Sequence, residues 1–381
     1  MKSLFAALAS VVLASCASAP IAVAPITSAD VARAGETFTA GDLLRHIGVL
    51  SSDDFEGRSP GTRGEALTLD YLVREFRALG LQPGGGDGTF LQKVPLIEYR
   101  SAPALTIKRG GTRVALQSPD DFTAWSPRRQ QEVNVADSEL VFVGYGVVAP
   151  EYGWDDYKGT DLRGKTIVML INDPQVPDPA DPSRLDDAMF KGRAMTYYGR
   201  WTYKYEIAER VGAAAALIVH ETIPAAYPYS VVVNSMSHEN YELAGVGRGY
   251  PPIAGWIPVD QARSIFAAGG RDFEAMKQEA LRKDFRPVPL GATATFRVRN
   301  VWREIPSNNV IARIEGSDPA LKDEVVVYTA HWDHFGWDPA LPGPKPNQVY
   351  HGARDNASGV AALLALAKAY QIGRASCRER V

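Results

Sequence analysis

The spacing of apolar residues predicts helices in the first and last parts of the chain. Over 65–79, apolar side chains recur on one helical face, and Gly80 follows at a position where helices commonly end. Shorter stretches of helical spacing cover 41–47 and 359–370, and a further helix is predicted over 203–210. Both ends of the chain are therefore expected to be partly helical.

Alternating and continuous apolar runs predict strands elsewhere. Residues 90–125 alternate as half-buried strands do, and 308–314 predicts another strand. Residues 324–330 contain an unbroken apolar run, which is typical of a strand buried on both faces of a parallel sheet. A second, β-rich unit is predicted by strand-like segments at 139–148, 162–171, 213–220 and, before a helix, in 253–268. The expected fold class is α/β, with a mixed, mostly parallel sheet.

Composition excludes several classes of protein. The chain has 381 residues, a formal net charge of −3, 45% hydrophobic residues and 22% charged residues, which is ordinary for a globular protein of more than one domain. The slightly acidic balance argues against a nucleic-acid partner. No internal stretch reaches the roughly 20 apolar residues of a membrane-spanning helix. The two cysteines, Cys16 and Cys377, leave no internal pair for a disulfide or a thiolate zinc site.

The N-terminus has the pattern of an export signal. Lys2 precedes an apolar run over 4–13 of the length found in signal peptides. Residues 13–16 resemble the bacterial lipobox, in which the cysteine is lipidated and becomes the first residue; the alternative is cleavage after Ala19, where Pro20 would follow the cut. We expect an exported protein held by a lipid anchor at Cys16 in the bacterial cell envelope, at the outer membrane, with 17–40 as a flexible tether.

Candidate metal ligands follow the predicted strand at 324–330. His331 and Asp333 lie directly after it, at the carboxyl end where ligand sites of α/β sheets collect. Asp333 can hydrogen-bond the imidazole of His331 and improve it as a zinc ligand. Asp355 lies at the start of the predicted helix over 359–370, where a carboxylate could also serve only as a cap. Together these residues favour a zinc site.

Three segments around these residues resemble the zinc-dependent M28 peptidases: 307–311, 331–334 and 352–359. Residues 50–65 are similar to the N-terminal motif of that family, and 126–297 resemble a protease-associated (PA) domain inserted in some members. The resemblance implies an α/β/α sandwich with a β-rich inserted domain. It divides the chain into a signal peptide, a tether, two peptidase parts flanking the insert, and a tail, at 1–16, 17–40, 41–125, 126–297, 298–370 and 371–381.

The resemblance also implies roles for individual residues. His331 would bind one of two zinc ions, Asp333 would orient His331, and Asp355 would bridge the two ions. The 355–356 peptide bond falls where a cis bond is frequent in the family. Arg354 stands where the family often has Asp, which would change the charge of the pocket, and His351 is not expected to be a ligand.

The remaining parts of such a site are absent from this chain. The family places a Glu-Glu pair, an Asp and a His after the position of Asp355, and this pair contains the general base. Here only Glu379 follows, with no later His or Asp. Residues 371–381 contain three Arg and Cys377 after an expected helix break at Gly373, and resemble a non-native tail. We therefore expect this chain to be an inactive fragment.

The leading hypothesis is an exopeptidase that acts on peptides through zinc-activated water, with an aminopeptidase favoured over a carboxypeptidase. A one-zinc glutaminyl-cyclase-like acyltransferase and a non-catalytic binding protein remain alternatives, and the oligomeric state stays open. Aromatic residues over 197–205 are expected mainly in a hydrophobic core, although 197–203 is also a candidate substrate-facing segment.

Overall fold

A computed structural model describes residues 27–378, apart from 246, 248, 317, 319 and 322. The predicted signal peptide with Cys16 therefore lies outside the described residues, and so do the first part of the tether and the side chains of the tail. The chain forms two compact units. The first comprises Met1–Lys93 and Ser307–Val381, and the second is Val94–Pro306.

The helices are, in chain order, α1 (Ser28–Gly35), α2 (Ala40–Leu50), α3 (Arg63–Ala78), α4 (Trp201–Arg210), α5 (Thr222–Ala225), α6 (Tyr229–Met236), α7 (Val259–Ala268), α8 (Phe273–Glu279), α9 (Lys345–Gln348) and α10 (Ser358–Arg378). Short helical turns cover Asp53–Arg58, Pro150–Tyr152, Tyr197–Gly199 and Ala353–Ala357.

The strands are β1 (Gln82–Pro83), β2 (Leu91–Arg109), β3 (Thr112–Leu116), β4 (Thr123–Trp125), β5 (Glu132–Phe142), β6 (Val148–Ala149), β7 (Trp154–Asp155), β8 (Thr166–Leu170), β9 (Ala215–His220), β10 (Asn240–Leu243), β11 (Ile253–Pro258), β12 (Val288–Val310), β13 (Ala312–Arg313), β14 (Gly336–Trp337) and β15 (Val349–Tyr350).

The first unit packs helices around a small apolar core. Its buried side chains come from α2, α3 and α10 and from the segments between them: Leu50, Tyr71, Leu72, Phe76, Leu81, Phe90, Ala357, Val360 and Leu364. An ion pair of 2.7 Å between Lys368 Nζ and Asp42 Oδ2 joins α10 to α2. Its described strands form only two short ladders, β1 with β13 and β14 with β15. These helices and ladders surround the segments that carry the candidate ligands.

The second unit is built on a large mixed sheet. The strand order is β10-β2-β12-β5-β8-β9-β11-β4, with β3 paired to β2. The central strands β5, β8, β9 and β11 are parallel, and the outer pairs β10–β2, β12–β5 and β11–β4 are antiparallel. β8 and β9 are buried along their whole length, which agrees with their continuous apolar sequences. The α/β class with a mixed sheet is confirmed.

Most predicted elements are present, but they are distributed differently from the expectation. The helices predicted over 41–47, 65–79 and 203–210 are α2, α3 and α4. The strands predicted over 90–125 include β2, β3 and β4, which belong to the second unit. This unit, Val94–Pro306, therefore extends farther on both sides than the predicted insert at 126–297, because those strands complete its sheet.

The buried strand predicted over 324–330 is wrong. These residues form no strand, and Val325, Val326 and Val327 are 79%, 79% and 71% exposed. A strand exists through hydrogen bonds to a neighbour, and no described strand pairs with this segment. An apolar run shows that the side chains are suited to a buried strand, but it does not show that a partner strand lies beside it.

Two further expectations about the ends differ from the structure. The predicted flexible tether contains α1, whose first turn is closed by a reciprocal cap between Thr27 and Asp30. At the other end, α10 continues through Gly373 to Arg378. A glycine inside a helix destabilises it by only about 1 kcal/mol, so it does not by itself end the helix.

The aromatic residues of the second unit lie mostly in its core. Trp154, Tyr203 and Tyr205 are buried, as expected for core packing. Tyr197 is 52% exposed, and its hydroxyl donates to the Glu206 carboxylate at 2.7 Å. Among the described residues, no helix combines the length and the apolar character needed to cross a bilayer.

Candidate functional site

His331 and Asp355, which are far apart along the chain, meet in the first unit. His331 Nε2 lies 3.0 Å from Asp355 Oδ1, and the two side chains are 53% and 73% exposed. Asp355 belongs to the turn Ala353–Ala357 that leads into α10, and the Asp355–Asn356 peptide bond is cis, as the resemblance implied. The structure therefore brings together two of the sequence-predicted site residues on an accessible surface.

The other imidazole nitrogen of His331 faces Asp333. Its Nδ1 lies 3.1 Å from the Asp333 main-chain oxygen and 3.4 Å from the carboxylate Oδ1. The nearer oxygen is a carbonyl, which can only accept, so Nδ1 carries the hydrogen and donates to it. Asp333 thus contacts His331 at the expected place, although its main chain comes closer than its side chain.

This arrangement fits a metal ion. With its hydrogen on Nδ1, a neutral imidazole presents only a lone pair at Nε2. That lone pair faces a carboxylate oxygen at 3.0 Å, and two acceptors at this distance need a proton or a cation between them. Histidine nitrogen and carboxylate oxygen both bind zinc at about 2.0–2.2 Å, so a separation near 3 Å suits two ligands of one ion. His331 and Asp355 are the residues that would hold it.

The remaining histidines near the site have other surroundings. His351 Nε2 lies 2.8 Å from Asp53 Oδ1, so its ring faces the turn Asp53–Arg58 and a carboxylate other than Asp355. His334 is partly buried, and its burial, followed by the positive charge of Arg58, lowers the pKa of its imidazole.

Arg58 is the residue at this site that sequence reasoning missed. It is 1% exposed, and its guanidinium donates to main-chain carbonyls of three separate segments. Burial lowers the pKa of Arg58, while the charges of Asp333 and Asp355 oppose that shift. A signal was present in the sequence, because Arg58 lies within the motif at 50–65.

Glu65 joins the same part of the motif to β12. It is 4% exposed, and its Oε1 accepts from the Ser307 hydroxyl at 2.8 Å and from the Asn308 main-chain nitrogen at 3.2 Å. Its Oε2 accepts from the Gly61 nitrogen. Such bonds satisfy a buried carboxylate, and they fix the start of α3 against the strand that precedes the site.

A complete metal cage is not present in the part of the chain that the structure describes. Within 27–378, outside the residues named above as undescribed, no group of three or more His, Cys, Asp or Glu side chains is placed to hold a metal ion. The structure therefore shows one pair of candidate ligands, and both side chains are exposed.

Comparisons with known proteins give one family match and several similar solved structures. Residues 309–380 match the family model "Peptidase family M28", and no curated protein matches the chain. Among solved structures, the chain is similar to an aminopeptidase from Aneurinibacillus sp. strain AM-1, with 20% identity, a TM-score of 0.42, and coverage of 90% of this chain and 61% of that one.

Two other solved structures show a similar degree of likeness. A peptidase M28 precursor from Shewanella amazonensis has 18% identity and a TM-score of 0.41, over 90% of this chain and 63% of that one. A zinc aminopeptidase from Bacillus subtilis has 17% identity and a TM-score of 0.35, over 88% of this chain and 58% of that one. The chain thus spans about three fifths of the length of these proteins.

His331 and Asp355 therefore form a candidate metal site of two residues, with Nε2 and Oδ1 3.0 Å apart. The segment that carries both residues, 309–380, is the part of the chain that matches the model of peptidase family M28.

Proposed function

We propose that this chain provides part of the active site of a zinc-dependent exopeptidase, and that the enzyme removes N-terminal residues from peptides. The observation that carries the proposal is the 3.0 Å approach of His331 Nε2 to Asp355 Oδ1 within the segment that matches peptidase family M28. Both side chains are exposed, so a peptide can reach them.

Each residue of the pair has a defined task in this proposal. His331 binds zinc through Nε2, since its Nδ1 hydrogen is held by the Asp333 carbonyl at 3.1 Å. Asp355 supplies carboxylate oxygens, with which it can bind one ion or bridge two. Bound zinc polarises the scissile carbonyl and lowers the pKa of a bound water. Asp333 holds the ring of His331 in one orientation and one tautomer.

The remaining parts of the chain enter the proposal with separate roles. The second unit would be a protease-associated domain, supported by the resemblance of 126–297. The N-terminal sequence would place the protein in the bacterial envelope through a lipid on Cys16, which is supported by the lipobox-like residues 13–16. Two zinc ions are proposed because Asp355 matches the bridging position of the family.

Zinc titration of the purified chain tests the proposal. We expect binding to be lost in His331→Ala and in Asp355→Asn, because each removes one of the two ligands. His351→Ala is the matched control: it removes a nearby imidazole that faces Asp53, and should leave zinc binding unchanged. Equal binding in all four proteins would contradict the site and favour a non-catalytic role.

The direction of cleavage is tested separately with short peptides. Any hydrolysis by the zinc-loaded protein should require a free amino terminus and stop when a chelator removes the metal. Equal hydrolysis of N-acetylated peptides would contradict an aminopeptidase, and release of residues from the other end would indicate a carboxypeptidase.

A further inference from the structure

We propose that Arg58 is the positioning residue of this site. Its guanidinium holds together two loops: the first loop, 331–336, carries His331, and the second loop, 351–357, carries Asp355. The expected effect of Arg58 on zinc binding rests on the proposed function, because the two loops carry the proposed zinc ligands. Arg58 touches no reacting group. It acts through the main chain on either side of the ligands.

The hydrogen bonds of Arg58 reach both loops at once. Its Nε donates to the Trp332 oxygen at 2.8 Å, next to His331. Its Nη1 donates to the His351 oxygen at 2.8 Å, and its Nη2 donates to the Gly352 oxygen at 2.9 Å, shortly before Asp355. A further bond from Nη1 reaches the Leu50 oxygen at the end of α2. One side chain thus ties the two ligand-bearing loops to each other and to a helix.

Only arginine has the geometry for these bonds. The planar guanidinium offers five N–H donors in a fixed fork, whereas lysine offers three donors on one atom. Arg58 and Leu50 are each 1% exposed, and the other residues whose carbonyls Arg58 binds are partly buried. Buried carbonyls left without a donor are destabilising. A lysine at this position would keep the charge and leave several of these carbonyls without a donor.

Two main-chain features support the contacts of Arg58 with the two loops. The Arg58 oxygen accepts from the His334 nitrogen at 3.3 Å, so residue 58 binds the first loop through its backbone as well. Gly352 has a φ of +59°, and a Cβ there would lie 2.5 Å from Arg58 Nη2. The absence of a side chain at Gly352 therefore leaves the space that the guanidinium occupies.

The charge of Arg58 has a second effect on the site. The carboxylates of Asp333 and Asp355 interact electrostatically with the guanidinium, so its positive charge attracts the two carboxylate-bearing loops in addition to the hydrogen bonds. Lysine at position 58 would retain this charge. Comparing Arg58→Lys with Arg58→Met therefore separates the effect of the guanidinium donor geometry from the effect of the positive charge.

Hydrogen exchange of the full chain distinguishes positioning from general stabilisation. In Arg58→Lys we expect amides of 331–336 and 351–357 to exchange at least about tenfold faster, with α3 and the first turns of α10 unchanged. Glu65→Gln is the matched control, since it alters a buried side chain of the same motif that bonds Gly61, Ser307 and Asn308. It should leave exchange in the two loops unchanged.

Zinc affinity gives the functional measurement. We expect Arg58→Lys to weaken zinc binding about 10- to 100-fold, the range found when groups that orient metal ligands are lost, and Arg58→Met to weaken it further. If Arg58→Lys does not fold, Gly352→Ala is measured instead. Its methyl group would meet Arg58 Nη2 at 2.5 Å but also the Asp355 oxygen and His334 Cδ2 at 2.7 Å, so the informative amides are those of 331–333, beside the Trp332 oxygen that Arg58 Nε binds. Faster exchange there is expected, and unchanged exchange there would contradict the inference.

Three results would overturn the inference: faster exchange across the whole first unit, unchanged exchange in both loops, or full zinc affinity in Arg58→Lys. These outcomes are separate from failure of the proposed function. If the parent chain binds no zinc, the exchange measurement still decides whether Arg58 joins the loops. If the parent binds zinc but exchange does not respond to Arg58→Lys, only the inference about Arg58 fails.

Discussion

Gly57 and Gly48 belong to the same compact unit, but they have different surroundings. Gly57 has a φ of +65°, and a Cβ there would overlap the Gly336 oxygen and lie 2.7 Å from the Tyr350 oxygen. Gly48 lies inside α2, and nothing lies within 4 Å of its Cβ position. Gly57→Ala should lower the free energy of unfolding by at least about 2 kcal/mol, because neither backbone oxygen can move aside easily.

Gly48→Ala should have the opposite effect. Alanine in a helix interior is more stable than glycine by roughly 0.5–1 kcal/mol, and the added methyl group has room. Urea unfolding followed by circular dichroism measures both variants under one set of conditions. If the Gly57→Ala protein is as stable as the parent, Gly57 does not pack against the main chain of Gly336 and Tyr350 as described.

At the residue scale, sequence motifs indicated the candidate ligands but not the residues that hold their loops. His331 and Asp355 were identified from motifs, and the structure places them in contact. Arg58 and Gly57 were missed because their importance comes from distant contacts: Arg58 bonds residues 274 and 293 positions away in sequence. A motif shows which residues occur together, but it does not show which carbonyls a guanidinium reaches.

A buried hydrogen bond between two helices gives a prediction about pH. His46 on α2 is 6% exposed, and its Nδ1 lies 2.6 Å from the Tyr71 hydroxyl on α3. Burial lowers the pKa of His46 below its ordinary value of 6.5. The unfolded chain therefore binds this proton more tightly than the folded one, and the free energy of unfolding should fall as the pH drops below about 6.5.

His46→Asn tests this effect, since asparagine can keep a polar contact with Tyr71 and does not titrate. The parent should lose up to about 1.4 kcal/mol per pH unit through this group, and the variant should lose correspondingly less. Some acid sensitivity should persist, because burial also lowers the pKa values of His220 and His334. Identical pH profiles for parent and variant would exclude His46 as a contributor.

At the element scale, the helices were predicted well because the apolar face of a helix depends only on the local spacing of residues. α2, α3 and α4 all lie where the apolar pattern placed them. The failures concern elements that depend on partners. Residues 324–330 have the composition of a buried strand but no ladder among the described residues. The sheet strands β2, β3 and β4 were predicted. The sequence placed 90–125 with the first peptidase part, whereas these strands lie in the sheet of the second unit, since pairing partners cannot be identified from alternation alone.

The whole molecule consists of two units, and the second has the features of an independently folding domain. Its core and its crossover helices lie within Val94–Pro306, and so does its sheet apart from the start of β2 and the end of β12. The chain enters through β2 and leaves through β12, and these strands are neighbours in the sheet. A segment whose ends are adjacent can be inserted into another domain, or removed from it, with little disturbance.

A comparison of two fragments, 94–306 and 126–297, tests the extent of this domain. The longer one retains every strand of the sheet, shortened only at the start of β2 and the end of β12, and should unfold in one cooperative thermal transition. The shorter one lacks β2, β3 and β4, so β11 loses its antiparallel partner, and it lacks the buried core residues Leu105, Phe122 and Trp125. We expect it to aggregate, because unpaired strand edges associate, or to show no cooperative transition. Equal melting temperatures for the two fragments would show that the domain begins near 126, and failure of 94–306 to fold would show that it depends on the first unit.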